Sequence, residues 1–193
     1  MAYRISTSRL ILYPLGPEHI SNSYVNWLKN DYLMAFSQNQ GLKHSLASCA
    51  AYASRFDHKT SWLWAIHTLN GQHIGNANAY LTAQHGVADI GLLIGDGSGN
   101  GYGQEAWEGV MEMLFIHIGV RKITGGCVRQ HEKMKRIMIK ASMQPDGERL
   151  GHVVLLGQIM DVIFYAQFNK NYKSRSDIQC VEYSVPVWGD VLE

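Results

Sequence analysis

The sequence predicts an α/β (α+β) fold built on a central mixed, mostly antiparallel sheet of about seven strands, flanked by about four helices. Three observations carry this. Residues 62–94 hold three runs of strand length and composition, separated by the turn signals Asn70-Gly71 and Gln84-His85-Gly86, which reads as an antiparallel meander. A glycine-dense loop, Gly95 to Gly103, then opens a helix with one apolar face. After it, strand and helix alternate before a closing strand pair, so the order is β-α-α-β-β-β-loop-α-β-α-β-β.

Each element has its own warrant. Arg9 to Tyr13 (RLILY) is the first strand, stopped by Pro14 and Pro17. A helix is predicted from about Glu18 to Lys29, where Ile20, Tyr24, Trp27 and Leu28 fall near an i, i+4, i+7, i+8 stripe. Another runs from about Ser45 to Phe56, with Ser45 as N-cap and Leu46, Cys49, Ala50, Ala53 and Phe56 at helical spacing. The meander strands are Trp62–Thr68, His73–Thr82 and Val87–Ile94. The helix after the glycine loop sets Ala106, Trp107, Val110, Met111, Leu114, Phe115 and Ile118 on one face. Lys122–Val128 is a short strand, His131–Ala141 a cationic helix, and Val153–Leu156 with Asp161–Phe168 a strand pair. Residues 171–193 read as a C-terminal extension with one edge strand at Val181–Val185.

With 193 residues, 46% hydrophobic and 17% charged, the chain can bury a core and has the size of one domain, assigned to residues 1–170. A net charge of +1 leaves no basic excess for neutralising phosphates, so nucleic acid is not an expected partner. No run reaches the 18 or so apolar residues of a membrane span, and the start, MAYRISTSRLILYPL, lacks the apolar stretch of a secretory signal. Cys49, Cys127 and Cys180 are odd in number and far apart, which fits neither a disulfide framework nor a zinc site and suits a reducing cytoplasm. The histidines show no metal-ligand spacing, so no metal is expected.

The chemistry-bearing feature is strand, glycine loop, helix. Backbone N–H groups in a loop that a ligand can approach closely, ahead of a positive helix N-terminus, make an anion site suited to a pyrophosphate. The plain alternative is a long hairpin-to-helix turn. A P-loop is excluded because Gly103 is followed by Gln104 and Glu105, with no Lys-Ser/Thr pair. A dinucleotide-binding fingerprint is excluded because this loop follows three antiparallel strands, not the first strand of a βαβ unit.

Loop and setting resemble the GNAT superfamily of acetyl-CoA-dependent N-acetyltransferases, whose [QR]-x-x-G-x-[GA] loop holds the coenzyme A pyrophosphate. In IGLLIGDGSGNGYGQEA, Gly101-Tyr102-Gly103 take the G-x-G positions, and Ser98 stands where the family usually has Arg or Gln. Arg9-Leu10, Gly71 to Asn78 (GQHIGNAN) and Gly147 to Tyr165 resemble the branch that acetylates ribosomal-protein N-termini, so the likeness spans residues 5–168. A GNAT-like fold and coenzyme contacts from Leu92, Leu93, Ile94, Ser98, Gly99, Asn100, Gly101, Tyr102, Gly103, Gln104 and His131 are what the resemblance implies. It also implies that a backbone N–H near Leu92, Leu93 or Ile94 receives the oxyanion. The family's N-x-x-S and E-K-x-G-F helix signature is replaced here by His131, Met134, Ile139, Lys140, Ser142 and Met143.

The implied reaction is attack of an amine on a thioester, which needs a base, oxyanion donors and a proton for the thiolate. Asp89 is the candidate base, or else a surface carboxylate, since strand alternation decides its face. His131 is the candidate thiolate acid, or else a helix cap. Asn76 and Asn78 share one strand face and either orient the acceptor or form a solvated polar surface. Trp62, Trp64 and Trp107 read as core, and Lys133, Lys135, Arg136 and Lys140 as a solvated helix face, unless one meets the coenzyme's adenosine phosphate. The sequence thus points to a cytoplasmic acetyl-CoA:amine N-acetyltransferase, an acyltransferase needing no metal and no membrane. Its acceptor would be a small amine, an amino sugar or a protein N-terminus, and a homodimer is compatible with the reading. A non-catalytic acyl-CoA-binding or sensing module on the same fold is the alternative.

Overall fold

The apolar–polar alternation of the meander is realised as one nine-stranded sheet in the computed structural model, which describes residues 2–189. In chain order the elements are β1 (Ala2–Ser6), β2 (Leu10–Pro14), α1 (Asn22–Lys29), α2 (Asp31–Met34), α3 (Leu46–Ala53), β3 (Ser61–Thr68), β4 (His73–Thr82) and β5 (Val87–Ile94). There follow α4 (Tyr102–Glu112), β6 (Lys122–Val128), α5 (Glu132–Lys140), β7 (Gln144–Leu155), β8 (Gln158–Phe168) and β9 (Gln179–Tyr183). The sheet order is β7-β8-β6-β5-β4-β3-β2-β1-β9, and among these neighbours only β5 and β6 run parallel.

The sheet is buried on both faces. Trp62, Trp64, Ile90 and the apolar stripe of α4 (Trp107, Val110, Met111) fill one side, and Met138 of α5 joins them. On the other side Tyr24 and Trp27 of α1 and Cys49 and Ala53 of α3 pack on Leu63 and Ala65. Ser45 caps α3 as its position predicts, accepting a hydrogen bond from the Ser48 N–H at 3.1 Å.

Several expectations are corrected. The sheet has nine strands where about seven were expected; β1 is the strand the sequence reading lacked, and it pairs with β9 at one edge. Ala2–Ser6 is five residues long and carries Arg4, so only its partners make it a strand. The edge strand placed at 181–185 lies at 179–183, in register with β1. The first helix starts at Asn22, capped by Ser21, because Pro17–His19 form a separate 3-10 turn. The closing hairpin is far longer than read: β7 begins at Gln144 and tolerates Pro145 and Gly147 through register shifts on an edge strand.

One feature of the topology makes a site. β5 and β6 pair at Val87↔Lys122, Ala88↔Ile123 and Asp89↔Thr124, and there the ladder stops. β5 continues along β4 as far as Gly75↔Ile94, and β6 continues along β8 as far as Val128↔Val162. Residues 90–94 therefore have ladder partners on the β4 side only, and a gap opens through the sheet.

Candidate active site

A cleft of about 610 Å³ occupies that gap. Leu63, Asn76, Asn78 and Gly91 line it from one face of the sheet, and Trp107, Cys127 and Met134 from the other. Leu92, Leu93 and His131 also line it, so five of the residues singled out from the sequence (Asn76, Asn78, Leu92, Leu93, His131) meet here.

The glycine loop lies where β5 ends. Gly97, Gly99 and Gly101 have φ of 71°, 101° and 80°, a left-handed backbone that only glycine adopts without strain. No atom would meet a side chain added at Gly99, so the loop is open to a ligand. Gly103, one residue into α4, instead faces Ile137 and lets helix and sheet close up.

Ser98 supplies no cation to this loop, but two arrive from elsewhere. Arg9 donates from Nη1 to the Asn100 carbonyl at 2.9 Å, and Lys133 of α5 brings Nζ to 3.5 Å from the Ser98 hydroxyl. Arg9 is itself held by Glu105, whose carboxylate accepts bonds from Thr7 Oγ1, Ser8 Oγ, Arg9 N and Arg9 Nε at 2.5–3.1 Å. Burial of Glu105 by itself raises its pKa, and these donors overcome it and hold the carboxyl below its ordinary range. Neither the Arg9 contact nor the Glu105 network was legible beforehand, since the partners lie more than ninety positions apart.

Asn76 is only 5% exposed, which excludes the solvated-surface reading for it. His73 Nε2 lies 3.0 Å from the Gly75 carbonyl and 3.0 Å from Asn76 Oδ1. A carbonyl only accepts, so His73 carries its proton on Nε2 and donates to both oxygens. That turns Asn76 Nδ2 away from the imidazole, and this buried amide nitrogen has no partner. Trp107 Nε1 is a second buried donor without a partner among the cleft-lining residues, an attribute its core reading missed. Asn78 lies directly over Gly91, where any side chain would displace its amide.

His131 stands at the N-cap position of α5, yet its side chain makes no capping bond. The ring packs on Phe36 at 5.0 Å and lines the cleft. Burial, reinforced by Lys133, lowers its pKa below 6.5, so the imidazole is neutral at neutral pH. Asp89 lies in mid-sheet at the last β5–β6 pair, outside the cleft lining and open to solvent, and accepts a 2.7 Å bond from Thr124 Oγ1. Although one side of the residue reaches solvent, the protein crowded around the carboxyl partly desolvates it and raises its pKa against the pull of that bond. Burial pushes the Cys127 thiol up to about 11, so this cleft residue holds little thiolate and is a poor nucleophile. Among the described residues no group of three or more His, Cys, Asp or Glu is arranged to hold a metal, and no helix is long and apolar enough to cross a membrane.

A family model described as the acetyltransferase (GNAT) domain matches residues 9–144. The GNAT-family acetyltransferase from Bacillus anthracis superposes with a TM-score of 0.77 at 13% identity, over 87% of this chain and 99% of that one. RimJ from Mycobacterium smegmatis, in complex with CoA-disulfide, gives 0.77 at 14% identity over 90% and 89%. RimL, a ribosomal L7/L12 alpha-N-protein acetyltransferase in complex with coenzyme A, gives 0.75 at 15% identity over 84% and 95%. At such identities the likeness is one of fold. No curated protein sequence matches the chain.

Proposed function

This chain belongs to the GNAT acetyltransferase family, and we propose that it moves an acetyl group from acetyl-CoA directly to a primary amine. The observation that carries the reading is the parting of β5 and β6 beside an open glycine loop, with a neutral imidazole in the gap. The loop suits a diphosphate because Gly99 is unobstructed and Arg9 and Lys133 flank it. Free Cys49, Cys127 and Cys180 support a cytoplasmic setting.

The proton accounting assigns two roles. An alkylammonium must lose one proton before its nitrogen can attack, and Asp89 takes this proton through water and passes it to solvent. As the N–C bond forms and the C–S bond breaks, His131 accepts the second proton from nitrogen and returns it to the departing thiolate. The products are an amide, a free thiol and one proton released to solvent. Strand residues 92–94 offer the backbone donors for the developing oxyanion. The scarce thiolate of Cys127 supports direct transfer over an acyl-enzyme route.

Two measurements test this. Acetyl-CoA should raise the melting temperature, by the equivalent of about 4 kcal/mol at a thousand times Kd, and thiol should be released when amine is added. A melting shift without thiol release from any amine selects the non-catalytic acyl-CoA-binding alternative, and no shift removes both readings. Asp89→Asn should slow turnover about tenfold or more at neutral pH and leave coenzyme affinity unchanged. Because the base must be ionised, wild-type turnover should fall as pH drops through the raised carboxyl pKa, and the variant should lack that limb. An unaltered pH profile in Asp89→Asn would confine Asp89 to its bond with Thr124.

A further inference from the structure

Resting on the acyl-transfer reading, we infer that the acceptor is an anionic amine: a primary amine whose own body carries a carboxylate or phosphate. The permanently charged side chains that line the cleft are all cations. Its lining residues include Lys43, Arg55, His44 and His131 and not one aspartate or glutamate. Among the described residues Lys43 and Arg55 take part in none of the ion pairs. The nearest carboxylate along the chain from Arg55 is Asp57, and it is consumed by its own turn. Its oxygens accept from the N–H groups of Lys59, Thr60 and Ser61 and from the Thr60 hydroxyl at 2.8–2.9 Å.

The uncharged polar atoms point the same way. The partnerless buried atoms of lining residues are both donors, Asn76 Nδ2 and Trp107 Nε1, and His73 keeps Asn76 in that orientation. A buried donor left without an acceptor costs about 1–3 kcal/mol, so a ligand bearing oxygen acceptors is favoured there and a second ammonium is opposed. Two cations without counterions repel a polyamine and attract an oxyanion.

Position separates Arg55 from the coenzyme. Tyr52, one turn before it in α3, meets the Tyr80 hydroxyl at 3.1 Å, and Tyr80 pairs with Asp89. Arg55 therefore lies toward the Asp89 end of β5, whereas the glycine loop follows Ile94, five residues and about 17 Å further along the strand. The pyrophosphate site has its own cations in Arg9 and Lys133, which leaves Arg55 for the acceptor.

The test compares matched amines: glucosamine 6-phosphate against glucosamine, the dipeptide Ser-Glu against Ser-Gln amide, and spermidine. Thiol release gives kcat/KM with acetyl-CoA, and calorimetry on coenzyme A-saturated protein gives affinity for each amine. In at least one pair the anionic member should be favoured about tenfold or more, the scale of one charge-assisted contact, with spermidine last. The phosphate and carboxylate pairs tell which anion is read. Arg55→Glu should lower the anionic-to-neutral ratio at least about tenfold while the coenzyme-induced melting shift persists. Equal or better use of the neutral amines or spermidine, or an anionic preference that survives Arg55→Glu, overturns the inference. If coenzyme binds but no amine releases thiol, the acetyl-transfer reading fails by itself. The calorimetric ratio then still decides the charge preference, an anionic advantage upholding it and its absence overturning it.

Discussion

His131→Ala should lower turnover by about a hundredfold or more, near the lower bound for loss of a general acid–base group, with little change in coenzyme affinity. The same substitution should cost the protein only the packing of the ring on Phe36, because the side chain makes no capping hydrogen bond. That packing is worth about 1 kcal/mol, so melting and turnover on one sample separate catalysis from structure. The pH dependence follows from the lowered pKa. A relay that begins by accepting a proton needs the neutral ring, so the acid limb assigned to His131 should lie below pH 6.5 and vanish in the variant. Wild-type turnover that rises on acidification through that range would mean the imidazolium is the working form, and unchanged turnover in His131→Ala would pass the thiolate proton to another donor.

Glu105→Ala should destabilise the protein by about 3 kcal/mol, because it strands four donors around one buried carboxylate site. Arg9 is half exposed and can turn to water, which keeps the cost from rising further. Coenzyme affinity should also fall, since Arg9 loses the anchor that holds it on the Asn100 carbonyl. The sign with pH is set by the depressed pKa. The stabilisation is complete above the ordinary glutamate value of 4.5 and is lost as pH falls through the lower folded value. Denaturant melts at pH 7 and pH 4 should thus differ more for wild type than for Glu105→Ala. Equal pH sensitivity in the two proteins would show that the carboxylate contributes nothing as a charge.

The parts of the site that were legible are those that local rules govern. The glycine loop was visible because a left-handed backbone leaves a compositional mark, and Asn76 and Asn78 were visible because strand alternation puts i and i+2 on one face. What Asn76 does was not visible. Its orphan donor depends on the tautomer of His73, which depends in turn on the Gly75 carbonyl. His131 shows the same limit from the other side: the N-cap position was readable, but that its side chain makes no capping bond, packs on Phe36 and has its pKa lowered by burial and by Lys133 was not.

The sequence by itself determined the periodic elements: the β3–β5 meander with its two turns, the amphipathic α4, and the cap of α3. Each is set by interactions within a few residues, so each leaves a pattern of matching period. Tertiary structure alone decided that β1 joins the sheet and that β9 takes its register against it, that β5 and β6 part after Asp89, and that Arg9 and Lys133 provide the cations Ser98 does not. These are pairings between segments distant in the chain, and their energy depends on which surfaces remain unburied once the local elements have formed. No window of sequence contains both partners, so no periodicity can record the choice.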